Sequence, residues 1–252
     1  MNKQFQVDSL EVKIFENRNQ LGENEAQRVF EKIQYLHTVQ DMVNIIFAAA
    51  PSQNEFLKSL KEKKLNWNRV NAFHMDEYIG LAQTAPQLFG NFLKEAIFDH
   101  LPFNSIHYIN GNAGNISSEM NRYEQLLTLY PPDIVCMGIG ENGHLAFNDP
   151  PVADFTDKQL VKTVELDYLC RVQQVNDGCF KNIEEVPTHA ITLTIPALMR
   201  GKYIYCIVPG EKKAMAVYNT FHMEIAEKYP STILRRHNNA IMFLDSDSSA
   251  LL

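Results

Sequence analysis

The chain is short of positive charge, of cysteine and of long apolar runs, and each shortage excludes a class of function. Its 252 residues carry 23 lysines and arginines against 30 acids, a formal net charge of −7. A nucleic-acid surface needs a basic patch to meet phosphates, whereas the basic clusters here, Lys61–Lys64 and Arg235–His237, are short. The longest apolar stretch, Val43–Pro51, contains Asn44 and cannot span a bilayer, and the N-terminal MNKQFQVDSL has no apolar signal core. A cytoplasmic protein with neither membrane nor nucleic-acid partners is expected. The four cysteines, Cys136, Cys170, Cys179 and Cys206, form no C-x-x-C pair, and no histidine stands at zinc-site intervals from them. No metal is expected, and Cys136 and Cys206, inside the apolar runs DIVCM and YIYCIV, read as reduced core residues. No repeat, low-complexity tract or Pro/Gly/Ser linker interrupts the chain, so one domain is expected over residues 1–252.

What is present is an alternation. Short apolar runs at Val43–Ala49, Arg69–His74, Ile106–Ile109, Asp133–Met137, His189–Ile195, Tyr203–Val208 and Ala240–Leu244 read as strands. Helical spacing of apolar residues separates most of them, over Glu25–Leu36, Gln53–Lys63, Leu88–Leu101, Ser117–Tyr130 and Glu211–Phe221. Strands alternating with helices predict an α/β fold: a mainly parallel, open sheet joined by right-handed crossovers, with helices on both faces. Ligands of such sheets collect beyond the carboxyl ends of the strands. The segments to inspect are therefore Ala50–Gln53 (APSQ), Met75–Gly80 (MDEYIG), Gly138–Pro150 (GIGENGHLAFNDP) and Pro209–Lys213 (PGEKK).

Gly138–Pro150 packs glycine, histidine and acids directly after an apolar strand, and His144, Glu141 and Asp149 are groups able to move protons. Gly138, Gly140 and Gly143 also satisfy G-x-G-x-x-G. A dinucleotide site is excluded all the same, because that fingerprint needs a helix opening on the glycines and Pro150–Pro151 follow too closely. In MDEYIG the adjacent Asp76 and Glu77 point opposite ways in extended backbone, so only one faces a site; a solvated acidic turn is the competing reading. A carboxylate beside Phe73, Met75 and Tyr78 would have a raised pKa suited to a general base. Lys212 and Lys213 sit at a helix start, where cations oppose the helix dipole, an arrangement that makes sense if an anion is shared with the backbone amides.

MDEYIG, GIGENGHLAFNDP, VPTHAITLT and PGEKKA, in that order, closely resemble the glucosamine-6-phosphate deaminase (isomerase) family, over nearly the whole chain. The family shares a superfamily with 6-phosphogluconolactonases. The resemblance implies a Rossmann-like α/β fold and conversion of an amino-sugar 6-phosphate, glucosamine or galactosamine, to a ketohexose 6-phosphate and ammonia, with no cofactor. It makes Asp76 the base between C2 and C1, His144 the ring-opening acid/base, Asp149 its supporting acid and Lys213 a phosphate contact. By the same resemblance the backbone around Ala50, Gly138, Gly140 and Ala146 and the Ser52 hydroxyl contact substrate. Family members include monomers and closed oligomers, so a homo-oligomer is open.

Three departures from the pattern stand out. Asn142 replaces the aspartate of the family's DGH, and is expected to accept a hydrogen bond from the imidazole and fix its tautomer without supplying charge. Asp149 is one methylene shorter than the usual glutamate, about 1.5 Å of reach. Ala48–Gln53 replaces a Gly-rich phosphate turn, and the phosphate-binding arginine has only Arg171 and Gln174 as nearby candidates, of which Arg171 is the expected one. Lys162 and Thr163 represent part of an allosteric site known in some members. A lactonase is the alternative reading, opposed by DEY and HLAFNDP; a sugar-phosphate-binding sensor without chemistry is another, favoured by Asn142 and the altered phosphate loop.

Overall fold

The computed structural model describes residues 3–252. In chain order the elements are β1 (Lys3–Val7), β2 (Leu10–Ile14), α1 (Arg18–Val39), β3 (Val43–Phe47), α2 (Asn54–Lys61), β4 (Val70–His74), β5 (Asp76–Tyr78), α3 (Phe89–Ala96) and β6 (Ser105–His107). There follow α4 (Ile116–Leu129), β7 (Ile134–Met137), β8 (Val161–Glu165), α5 (Tyr168–Asn176), β9 (His189–Leu193), α6 (Ile195–Met199), β10 (Tyr203–Val208), α7 (Ala214–His222) and β11 (Ala240–Leu244). Eight strands form one sheet in the order β1-β2-β11-β10-β7-β3-β4-β6. Every pairing in it is parallel except the hairpin β1–β2, whose turn places Asp8 at φ 50°.

Side-chain alternation explains why both faces are covered. In β3, Val43, Ile45 and Phe47 join a core with residues of α1, α2 and α3, whereas Ile46 joins a second core with residues of α4, α6 and α7. The expected open, mainly parallel sheet with helices on both faces is what forms. Helix α1 begins at Arg18, seven residues earlier than its apolar stripe indicates, because Asn17 caps it by accepting from the Gln20 amide.

One expectation about strand partners is corrected. The run at His189–Ile195 is a strand, β9, but it lies outside the parallel sheet, in a second sheet of order β5-β9-β8 in which both pairings are antiparallel. Asp76 pairs with Thr192 there. This small sheet carries MDEY sideways from the end of β4 to the mouth of the main sheet.

Candidate active site

The neighbouring strands β10, β7, β3 and β4 run parallel, so their carboxyl ends bring four loops together. Ala50 and Ser52 after β3, Asp76 after β4, Gly138, Gly140, His144 and Ala146 after β7, and Lys213 after β10 all line one cavity of about 460 Å³. Its floor is close-packed: a Cβ on Gly138 would lie 3.2 Å from the Ile207 carbonyl, 3.3 Å from Gln53 Nε2 and 3.5 Å from Ser52 Oγ. No helix opens on Gly143, which instead turns at φ 84° while its carbonyl accepts from the Ser231 amide.

Asp76 and Glu77 separate as extended backbone requires. Glu77 turns away from the cavity and accepts from the amides of Tyr78 (2.9 Å), Phe89 (3.0 Å) and Gly90 (2.9 Å), capping the start of α3. Burial nevertheless raises its pKa to about 7 against those three bonds. Asp76 is 7% exposed, and burial first, then the Glu77 charge, hold its carboxyl well above the ordinary range. The backbone beside it is fixed by His74: the Ile109 amide donates to Nε2 (2.9 Å), which leaves the Nδ1 proton to bond the Asp76 carbonyl (2.9 Å). Burial lowers the His74 pKa to about 4, so this ring stays neutral.

His144 Nδ1 lies 2.9 Å from Asp149 Oδ1. The shorter acid reaches its partner. The ring N–H is not squarely aligned on that oxygen, so the contact is first electrostatic. Burial would raise the Asp149 pKa, but the His144 charge first, then the bond from Asn142 and the neighbouring Cys170 thiol, hold it below the usual carboxylate value. Asn142 acts differently from the expectation. It does not accept from the imidazole: its Nδ2 donates to Asp149 Oδ1 (2.8 Å) and its Oδ1 accepts from the His144 amide (3.0 Å). Asparagine thus tethers the acid to the histidine backbone, while Asp149 supplies the charge. A Cβ on Gly140 would overlap the His144 ring, so only glycine leaves the ring its place.

Ala146, at φ 49°, is the strained point of the loop, and its conformation is closed by Asn148, whose amide and Nδ2 both donate to the Leu145 carbonyl. Lys213 is 9% exposed; burial lowers its pKa, while Asp177 and Glu141 raise it. Lys212 instead reaches outward to the Asn176 carbonyl. Arg171 is the site residue that the structure removes from the list. Its Nη2 donates to the carbonyls of Ile183 (2.6 Å) and Val186 (3.0 Å), tying α5 to the following turn, and it does not line the cavity. Gln174, three residues further along α5, lines it instead.

Arg18, Gln173, Asp177 and Cys179 also line the cavity and carried no signal in sequence, since each lies outside the strand-end loops, whereas Gln53 closes the Ala50–Gln53 segment already singled out. Cys170 is a further surprise. With His144 and Asp149 it places three potential ligand atoms within 4.8 Å of one another, a proximity that sequence spacing hides. Burial, then Asp149, push its thiol pKa far up, so the sulfur is a protonated neighbour of the carboxylate.

Residues 16–243 match the family model described as glucosamine-6-phosphate isomerases/6-phosphogluconolactonase. A glucosamine-6-phosphate deaminase of Bacillus cytotoxicus is 36% identical over 192 residues, 76% of this chain and 71% of that protein. Another, from Bacillus cereus, is 32% identical over 90% of this chain and 84% of its own length. Among solved structures, a monomeric glucosamine-6-phosphate deaminase superposes with a TM-score of 0.87 at 25% identity, covering 96% of this chain and 99% of that one. A 6-phosphogluconolactonase from Thermotoga maritima shares the fold, with a TM-score of 0.77 at 17% identity over 94% and 99% of the two chains.

Proposed function

Because the chain belongs to the glucosamine-6-phosphate isomerase/6-phosphogluconolactonase family, we propose that it isomerises and deaminates a hexosamine 6-phosphate to a ketohexose 6-phosphate and ammonia. The observation that carries this reading is one cavity holding a buried, proton-avid carboxylate, Asp76, together with a charge-paired histidine, His144. Those are the two proton-moving groups that the reaction needs.

His144 moves the proton that opens the pyranose. With Nδ1 facing Asp149, Nε2 is the nitrogen that exchanges protons with the ring oxygen and the C1 hydroxyl, and the Asp149 charge steadies the imidazolium formed in between. Asp76 then removes the C2 proton while the C1 oxygen takes one from the substrate's ammonium, and the C1–C2 enolamine forms. The Asp76 carboxyl, its proton exchanged with solvent, then protonates C1 and leaves an iminium at C2, which water hydrolyses to the ketone and ammonia. A carboxylate with a raised pKa is a stronger base for this step than an ordinary one. Lys213 and the Ser52 hydroxyl hold the phosphate, with the Gly138–Gly140 backbone beneath the sugar. The substrate is thus a small sugar phosphate, consistent with a cytoplasmic enzyme; among the described residues no helix is long and apolar enough to cross a membrane.

Incubation with glucosamine 6-phosphate, galactosamine 6-phosphate and 6-phosphogluconolactone tests the proposal. Ammonia and a ketose phosphate from either amino sugar are expected. Lactone hydrolysis alone would identify a lactonase, and calorimetric binding of the sugar phosphates without turnover would identify a sensor.

A further inference from the structure

A phosphate dianion is best held by more than one cation, and preferably by a guanidinium fork. The cavity's Lys213 is a single point charge whose field is shared with the carboxylates of Asp177 and Glu141. Arg171 faces away. The other cation of the cavity wall is Arg18, from the first turn of α1. It is anchored onto the very loop that follows β3: Nη2 donates to the Pro51 carbonyl (3.0 Å) and to Glu55 Oε2 (2.9 Å), and Nε donates to Glu55 Oε1 (2.8 Å). These bonds use Nε and Nη2 and leave Nη1 uncommitted. The anchoring depends on close helix contact. One turn after Arg18, Gly22 lets α1 approach α2 so tightly that a Cβ would stand 2.6 Å from Glu55 Cβ. The Arg18 and Glu55 side chains are 44% and 25% exposed, and so open an ion pair is weak enough for an incoming anion to draw on the guanidinium.

We propose that Arg18 is a substrate-binding residue, the second cation of the anion subsite formed with Ser52 and Lys213, where it reads the phosphate of the substrate. The inference rests on the proposed sugar-phosphate chemistry for the identity of the anion. Glu55 has a defined part in it: it aims the guanidinium and competes with the phosphate for its charge.

That competition makes the test discriminating. Steady-state kinetics with glucosamine 6-phosphate, and inhibition by inorganic phosphate, are measured on the full chain and on Arg18→Ala, Arg18→Lys and Glu55→Gln, each first checked for an unchanged circular dichroism spectrum. Arg18→Ala is expected to raise both KM and the inhibition constant of phosphate about tenfold, the value of one charge-assisted contact, with the larger part of the effect in KM. Arg18→Lys should recover part of the loss, and Glu55→Gln should lower both constants. An ion pair that merely fastens α1 to α2 predicts the same direction of change for Arg18→Ala and Glu55→Gln, so a shift of both in one direction overturns the proposal. So does a phosphate inhibition constant that stays within twofold in Arg18→Ala. Should the wild-type protein release no ammonia, the functional reading fails separately; calorimetric titration of inorganic phosphate into the same proteins then decides the role of Arg18.

Discussion

At the residue scale the site depends on where single atoms are allowed to be. Gly140 is glycine because any Cβ there would occupy the space of the His144 ring. Gly140→Ala should therefore displace the imidazole and cut kcat by at least about a hundredfold, the contribution expected of one acid/base group, while the melting temperature moves little. Asp149 bears the charge that the histidine needs. Asp149→Asn should slow turnover most where ring opening limits the rate, measured as the loss in kcat. The acid's depressed pKa also has a stability consequence: its contribution is complete above the ordinary value of 3.8 and is lost as pH falls through the lower folded value. Ala146 holds a left-handed conformation that glycine adopts without strain. Ala146→Gly should stabilise the protein by about 0.5 kcal/mol, the strain relieved less the extra entropy of the unfolded glycine, measured by denaturant unfolding.

At the element scale, the strands that read clearly from sequence are those buried on both sides. β7, β10 and β11 are continuous apolar runs, β3 and β4 are apolar but for Asn44, Asn71 and His74, and the loops at the carboxyl ends of β3, β4, β7 and β10 line the cavity. β1 was illegible because it is an edge strand of largely exposed polar residues, and β5 because it has three residues. β9 was legible as a strand but not as a member of the second sheet, since an apolar run says nothing of its partner. The same limit applies to the site. Residue type and position pointed to Asp76, His144 and Lys213, which line the cavity, and to Asp149 beside His144, whereas Arg18 lines it only through helix packing. Arg171 and Gln174 lie less than one helical turn apart, and the turn decides that the glutamine faces the cavity. The α1–α2 contact is one such packing dependence: Gly22→Ala should force the helices apart, costing about 1–3 kcal/mol, the usual range for overpacking.

At the scale of the whole molecule, three carboxyl groups are buried with raised pKa values: Glu25, Asp76 and Glu77. Two serve the site and its scaffold, but Glu25 lies fully buried under the sheet, neither oxygen having a hydrogen-bond partner. A group whose folded pKa exceeds its unfolded value stabilises fully below the unfolded value, 4.5 for glutamate, and loses that contribution as pH rises through the folded one, about 7 for Glu77. The melting temperature should thus decline between about pH 5 and pH 8. Glu25→Gln should flatten that decline, and Asp76→Asn should do the same while removing activity, so that the proton-avid base is bought with stability near neutral pH.

On this account Asp76 is both the base that takes the proton from C2 of an opened amino-sugar phosphate and the acid, exchanged with solvent in between, that protonates C1. That double role is tested most directly by running the reaction on glucosamine 6-phosphate in deuterium oxide and following C1 of the ketose phosphate by NMR, for the wild type and for Asp76→Asn at matched substrate occupancy. The account predicts deuterium at C1 with the wild type and none above background with Asp76→Asn, whose fold and sugar-phosphate binding persist. Deuterium entering C1 at the wild-type rate in Asp76→Asn would contradict it.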